Sequence, residues 1–347
     1  PKRHPSLRDL ESRVGLTKPL LIWAVSDGRA GIDNQVLGLA EAVARQTGEE
    51  GPSAQIVHKR IGWKAPFDPM PPWLNPGRGW GFSSGSSSFD PPWPHLWIAA
   101  GRASLPLSIR AKTRSQGQTF VVQLQDPRHS GDAFDLVAPP RHDKLKGANV
   151  FPITGAPHRV TRSTLDEAYR AFRDQIDPLP RPRVAVLIGG KSKAFDLSPQ
   201  RAEALSDDLV RALDHNSASL MMTFSRRTPH AAKAVLLRRL SGYPGIIWHG
   251  EGSNPYFAFL AAADFIVVTE DSVNMVAEAA ATGTPVYIAK VDGGQWRKRL
   301  FHQDLSDRGV ARPFTGALDP FSYPPLQETD RLAAEILQRM AQRARHG

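Results

Sequence analysis

The feature that most limits how this chain can fold is an alternation. Short apolar, partly β-branched runs are each followed by a polar or glycine turn and then by a segment with helical apolar spacing. The clearest instance is F-I-V-V-T-E-D-S-V-N-M-V-A-E-A-A-A-T-G-T-P-V-Y-I at residues 265–288. Residues 265–268 form a continuous apolar run of the kind buried on both faces of a parallel sheet. Asp271 or Ser272 can cap the helix that follows, whose Val273, Val276, Ala277 and Ala280 share one face. Gly283 and Pro285 stop it and open the next strand. The helix N-terminus then faces the carboxyl edge of the sheet, where open α/β sheets bind phosphorylated ligands. Glu278 is the one charge on that helix.

The same pattern runs along the chain twice. In the first half it predicts strands at 19–25, 54–61, 95–100, 119–124, 134–138 and 150–153. Helices are expected at about 34–46, with Asp33 as N-cap, and, basic, at about 103–113. Residues 62–94, rich in Trp, Pro, Gly and Ser, read as an irregular surface excursion. Prolines at 157, 178, 180 and 182 bracket a helix near 165–176 that reads as an inter-domain connection. In the second half strands are expected at 184–188, 219–224, 245–248 and 265–268, with Ser198-Pro199 and Asn254-Pro255 opening helices. A helix near 297–306 and a final one from about 328 to 344 follow. The expected fold is α/β: two tandem doubly wound, Rossmann-like domains facing across a cleft. Their bounds are 1–160 and 183–327. Residues 161–182 form the linker helix region, and 328–347 a C-terminal helix packing back on the first domain.

Composition removes several classes. The chain has no cysteine, which excludes disulfides, thiolate metal sites and cysteine nucleophiles and fits a reducing compartment. Residues 1–18 are polar and read as loosely attached, with no signal-like apolar core, and no apolar run reaches membrane-spanning length. A cytoplasmic protein, peripheral at the inner membrane face, is the expectation. A net charge of +10 favours anionic partners, but the cations are scattered and follow no nucleic-acid-binding pattern, so nucleic acid is not expected.

The polar clusters that could carry chemistry share one position. Asp27-Gly28-Arg29, Gly101-Arg102, Gln125-Asp126, His142-Asp143, Gly189-Gly190-Lys191-Ser192, Ser225-Arg226-Arg227 and Glu270-Asp271-Ser272 each follow a predicted strand. In a parallel sheet they gather on the carboxyl edge, which implies a ligand cleft between the domains. Gly189 and Gly190 would let backbone approach a ligand, with Ser192 or Lys193 on phosphate; the alternative is a plain turn with solvated lysines. Arg226 and Arg227 precede a helix, against the dipole preference, which suits an anion shared with that helix. Ser272 and Asn274 are caps or phosphate donors. Glu278 is either an exposed outer-face glutamate or a ribose ligand. No D-x-D or His-rich spacing suggests a metal.

S-D-G-R-A-G-x-x-x-Q-x-x-G-L-A-E-A at 26–42, A-G-R at 100–102, Q-D-P-R at 125–128, H-D at 142–143, S-R-R-T-P at 225–229 and V-T-E-D-S-V-N-M-V-A-E-A-A-A-T-G-T-P-V-Y at 268–287 carry a resemblance. Together they resemble the bacterial members of the mitochondrial-fission Elm family, which in turn looks like the GT-B glycosyltransferases. The resemblance implies a C-terminal domain that binds a nucleotide-diphosphate sugar as donor substrate, with no separate cofactor. It assigns Ser192 and Ser272 to the diphosphate and Glu278 to the ribose. It implies an N-terminal domain that binds the acceptor and supplies the base. Where the peptidoglycan enzyme of that fold has a histidine before its first helix, this chain has Asn34. The base would then be Asp27 or Asp33, or Asp143 reaching across.

Three functions follow. The first is metal-independent glycosyl transfer to an anionic, lipid-linked or cell-envelope saccharide, with peripheral membrane contact. The second is a non-catalytic adaptor of the Elm type, binding protein or membrane. The third is a GT-B-fold nucleotide-sugar epimerase.

Overall fold

A computed structural model describes residues 19–48, 54–68, 70–129 and 131–346. The polar segment expected at 1–18 lies outside them. The chain divides into two compact units, Pro1–Arg159 together with Gln327–Gly347, and Val160–Leu326.

The first unit is a five-stranded sheet in the order β2-β1-β3-β4-β5, all parallel. Its strands are β1 (Leu21–Ser26), β2 (Gln55–Arg60), β3 (Leu96–Ala99), β4 (Phe120–Leu124) and β5 (Leu136–Ala138). The segment at 150–153, expected as a strand, makes only isolated bridges from Val150 to Val137 and from Ile153 to Pro140. Helix α1 (Ala30–Gln46) begins four residues earlier than its apolar spacing suggests, and Asp33 lies in its first turn, not at its cap. Two glycines at 28 and 31 made this start look like loop. Helix α2 (Leu105–Arg114) follows a 3₁₀ turn at Arg102–Ser104.

The last helix, α9 (Glu328–His346), returns to this unit. Leu332, Ala333 and Ile336 sit fully buried in one cluster with Val36, Leu39 and Val43 of α1. Gln46 Nε2 donates to the Asp330 carbonyl at 2.8 Å, and the Thr154 N–H to Glu328 at 2.9 Å.

The second unit is a six-stranded parallel sheet in the order β13-β11-β10-β6-β8-β9. Its strands are β6 (Arg183–Ile188), β8 (Ser219–Phe224), β9 (Gly245–Trp248), β10 (Phe265–Thr269), β11 (Val286–Ala289) and β13 (Ala311–Pro313). A small antiparallel pair, β7 (Phe195–Asp196) with β12 (Asp292–Gly293), stands apart. The helix expected as an inter-domain connection, α3 (Arg162–Ile176), instead belongs to this unit. Its Leu165, Ala168, Tyr169 and Phe172 pack into the cluster that holds Phe259 and Leu260 of α6 (Tyr256–Ala262). It is a packed element because its apolar residues recur at helical spacing, whatever the prolines on either side.

The remaining helices are α4 (Pro199–Asn216), α5 (His230–Leu240), α7 (Val273–Ala280) and α8 (Trp296–Asp307). Apolar clusters lie on both faces of this sheet, as a parallel sheet requires. Among the described residues no helix is long and apolar enough to cross a membrane.

Candidate functional site

In the second sheet the chain lays β8 and β9 on one side of β6, then places β10 on the other. The loops leaving β6 and β10 diverge at that point, which is where doubly wound sheets take ligands. In this unit the two loops are stitched together. The Gly189 N–H donates to Thr269 Oγ1 at 2.8 Å and the Gly190 N–H to Asp271 Oδ2 at 3.0 Å. Thr269 Oγ1 donates to Asp271 Oδ1 at 2.7 Å, and Arg227 Nη2 to Asp271 Oδ2 at 3.0 Å.

Asp271, expected as a ligand contact, is therefore a brace. Its side chain is wholly buried and accepts from three parts of the chain. The close approach permitted by the glycines is likewise internal. A Cβ on Gly189 would lie 2.2 Å from Asp271 Oδ1. The backbone N–H groups of both glycines already have partners. Arg227 also donates to the Lys191 carbonyl at 3.1 Å, so it ties the turn after β6 to the loop before α5. Arg226 stays exposed.

Ser192 is exposed, its Oγ accepting from the Phe195 N–H at 3.2 Å, and Lys193 beside it is exposed too. Ser272 is the N-cap of α7, its Oγ accepting from the Met275 N–H at 3.4 Å. Asn274 lies half-buried in the same first turn. Glu278 is not an outer-face glutamate: it is 4% exposed and accepts from the Tyr256 hydroxyl at 2.6 Å. Burial first, and the Glu278 carboxylate second, hold the Tyr256 phenol well above its ordinary range.

One residue here was missed by sequence reasoning. Lys298 on α8 donates through Nζ to the Asp271 carbonyl at 2.5 Å and lies 4.7 Å from the Phe195 ring centroid. Burial pushes its ammonium below the usual lysine value, against the opposing pull of Asp271. His302, one turn on, contacts the Glu270 carbonyl at 2.9 Å, and Glu270 Oε1 accepts from the Val291 N–H at 2.9 Å. The β10–α7 turn is thus fixed from α8 and β11, with two cations, Arg227 and Lys298, at its centre. The triplet Arg297-Lys298-Arg299 after a Gly-Gly turn was the available signal.

In the first unit the switch point lies between β1 and β3. A cleft of about 280 Å³ opens there, lined in part by Asp27, Arg29, Arg102, Trp63, Phe67 and Met70. Asp27 Oδ2 accepts from Arg29 Nε at 2.9 Å and Nη2 at 2.6 Å. That hydrogen bond strengthens the protonated Arg29 guanidinium. Gly101, at φ +84°, lets the chain after β3 pass Asp27; a Cβ there would sit 3.2 Å from Oδ2.

Asp33 faces elsewhere. Its Oδ1 accepts from Ser26 Oγ at 2.5 Å and lies 3.4 Å from His58 Nε2, and Arg60 Nη2 is 3.4 Å from Oδ2. Ser26 Oγ is also 3.0 Å from His58 Nε2. Asp33 ties α1 to the ends of β1 and β2 and is not among the residues lining the cleft. His58 was not singled out beforehand, since only folding brings β2 beside Ser26. Asp143 lies in a 3₁₀ turn beyond β5. At about 4.8 Å per strand step, β5 is roughly 14 Å from β1, and Asp143 is not among the residues lining the cleft. Among the described residues no group of three or more His, Asp or Glu could hold a metal ion.

Two doubly wound units, each with its polar residues at a switch point, make this a GT-B-type fold. The UDP-GlcNAc 2-epimerase of Methanocaldococcus jannaschii matches it with a TM-score of 0.54 at 11% identity, over 92% of this chain and 99% of that one. The glycotransferase of kitacinnamycin matches with a TM-score of 0.50 at 15% identity, over 95% and 96%. Residues 30–340 match the family described as Mitochondrial fission ELM1, and the chain belongs to that family. The mitochondrial fission protein ELM1 of Arabidopsis thaliana is 34% identical over 277 residues, 72% of this chain. The match spans 65% of the plant protein's length.

Proposed function

We propose that the chain is a metal-independent glycosyltransferase that takes a nucleotide-diphosphate sugar in its second unit and passes the sugar to a lipid-linked or cell-envelope saccharide. The observation that carries this reading is the convergence at the ends of β6 and β10. The capped N-terminus of α7, Arg227 and the half-buried Lys298 meet on one turn, with the buried Glu278 in the second turn of the same helix. Helix N–H groups and two cations suit a diphosphate. The Ser192 and Ser272 oxygens accept backbone N–H groups and keep their hydroxyl hydrogens for phosphate oxygens. Glu278, fixed by Tyr256, accepts from ribose hydroxyls.

In transfer the acceptor hydroxyl oxygen attacks the anomeric carbon, the bond from that carbon to the diphosphate oxygen breaks, and the nucleoside diphosphate leaves. Arg227, Lys298 and the α7 N–H groups stabilise the charge that develops on the leaving group. The hydroxyl proton passes to a carboxylate, and Asp27 is the candidate because it lines the cleft of the first unit while Asp33 does not.

Calorimetry against UDP-, GDP- and ADP-sugars tests the donor reading, with Glu278→Gln as the control that should weaken binding. If no nucleotide sugar binds, the reading fails and an adaptor role is favoured. A second reading has its own support: the similar archaeal protein is named as an epimerase of UDP-GlcNAc. Incubating the protein with the bound donor alone separates the two. Sugar inverted at C2 favours the epimerase, and slow hydrolysis the transferase.

A further inference from the structure

Five large hydrophobic side chains stand exposed among the described residues, and three of them lie within eight positions of the first unit. Trp73 is 51%, Leu74 64% and Trp80 59% exposed. An isolated exposed leucine needs no explanation, but two tryptophans and a leucine on one short segment do.

The segment is held firmly. The Asn75 N–H donates to the Pro71 carbonyl at 3.1 Å, and the Gly77 N–H to Asn75 Oδ1 at 2.9 Å. Two arginines of α2 then grip its backbone. Arg110 Nη2 donates to the Trp73 carbonyl at 3.0 Å, and Arg114 to the Gly77 and Pro76 carbonyls at 2.8 and 3.2 Å. The shape is thus fixed by main-chain carbonyls, and Leu74 stays exposed while Trp73 stacks on His129 and Trp80 meets Phe67 edge-on, each leaving more than half of itself in water.

The charge here is uncompensated. Arg78, Arg110 and Arg114 form no ion pair among the described residues; the acceptors given for Arg110 and Arg114 are neutral carbonyls. Burial, then repulsion from Arg110 and Arg78, pushes the Arg114 guanidinium below the usual arginine value. Three like charges crowded together, beside indoles that prefer a water–hydrocarbon boundary, match a surface that is both apolar and anionic.

We propose that residues 71–80 are a docking surface for an anionic phospholipid bilayer, with Trp73, Leu74 and Trp80 entering the headgroup region and Arg78, Arg110 and Arg114 facing lipid phosphates. The surface needs no nucleotide sugar, so its test is independent of the donor-site reading.

Co-sedimentation is measured with vesicles of phosphatidylcholine alone and of phosphatidylcholine mixed with phosphatidylglycerol, at physiological ionic strength. The full chain sediments with the anionic vesicles and not with the neutral ones. Trp73→Ser with Leu74→Ser lowers the affinity roughly tenfold or more. Arg78→Glu lowers it too and makes the remainder less salt-sensitive, since less of the binding is then electrostatic. Brominated lipid quenches tryptophan fluorescence in the parent and less in Trp73→Phe, which keeps the apolar bulk. Thermal melts confirm that each variant is folded. Three results overturn the proposal, the first two being no binding to anionic vesicles and equal binding by the parent and the Trp73–Leu74 variant, which would assign binding to the general basic surface. Self-association of the parent without vesicles, abolished by the same variant, would also overturn it by assigning the segment to a second copy of the chain.

Discussion

The hydroxyl of Tyr256 donates to Glu278 across 2.6 Å, joining the first residue of α6 to the second turn of α7, the carboxylate buried and the tyrosine partly so. Removing a donor from a buried carboxylate is costly, so Tyr256→Phe should destabilise the second unit by about 1–3 kcal/mol, measured by urea unfolding. It should also weaken nucleotide-sugar binding, since Glu278 would lose its fixed orientation. Unchanged stability would mean that another group compensates.

The same phenol gives an alkaline prediction. Its folded value is raised above the ordinary tyrosine value near 10. Stability from this group is complete below pH 10 and falls as pH rises above it, because the unfolded tyrosine ionises first. Tyrosinate absorbance at pH 11 should therefore report fewer than the chain's five tyrosines until it unfolds. Tyr243, pushed up to about 12 by burial and by Asp214, should be among the late ones.

At the acid end the relevant group is His158. It is 6% exposed, its Nδ1 has no hydrogen-bond partner among the described residues, and burial lowers it to about 4. A depressed value favours the fold above the unfolded pKa of 6.5, and that advantage is lost as pH falls toward 4. The loss is about 3 kcal/mol, on the order of 1.4 kcal/mol per unit. Melting temperatures at pH 7 and pH 4.5 check it, and His158→Leu should flatten the difference.

Asp271→Asn would set an amide against the Gly190 N–H and leave Arg227 without its anion. A loss of about 2–3 kcal/mol is expected, moderated because Arg227 is half-exposed. Hydrogen exchange should quicken at residues 189–192 and 269–272 together. Gly189→Ala should produce the same coupled loosening, since its Cβ has nowhere to go but into Asp271.

Lys298→Met keeps the stem over Phe195 and removes the charge. Nucleotide-sugar affinity should fall roughly ten- to a hundredfold, the worth of a charge-assisted hydrogen bond, with the melting temperature little changed. Calorimetry reads the first and a thermal melt the second.

Much of the second unit was legible because its signals are local. The strands at 219–224 and 245–248 match expectation, and Ser198 caps α4 by accepting from the Arg201 N–H at 3.2 Å. Ser272 caps α7 as its spacing suggested. What periodicity does not carry is partnership across the sheet. Asp271 looked like a loop acid offered to a ligand, and only the pairing of β10 with β6 shows why it turns inward. Lys298 was not singled out, because its partial burial depends on Phe195 a hundred residues away. Asp33 read as a cap because its real partners, Ser26 and His58, are set by the β1–β2 register. The α1 start was obscured for a simpler reason: Arg29 gives no side-chain cap, and glycines precede and follow it.

The return of α9 to the first unit has a consequence for how the chain is made. Leu332, Ala333 and Ile336 complete the core that α1 begins. The first unit therefore cannot close until the last helix has left the ribosome. The second unit, uninterrupted from Val160 to Leu326, has all its strands in hand earlier. During synthesis the half that starts first should finish last, holding an unfinished apolar face for as long as the other half takes to be translated.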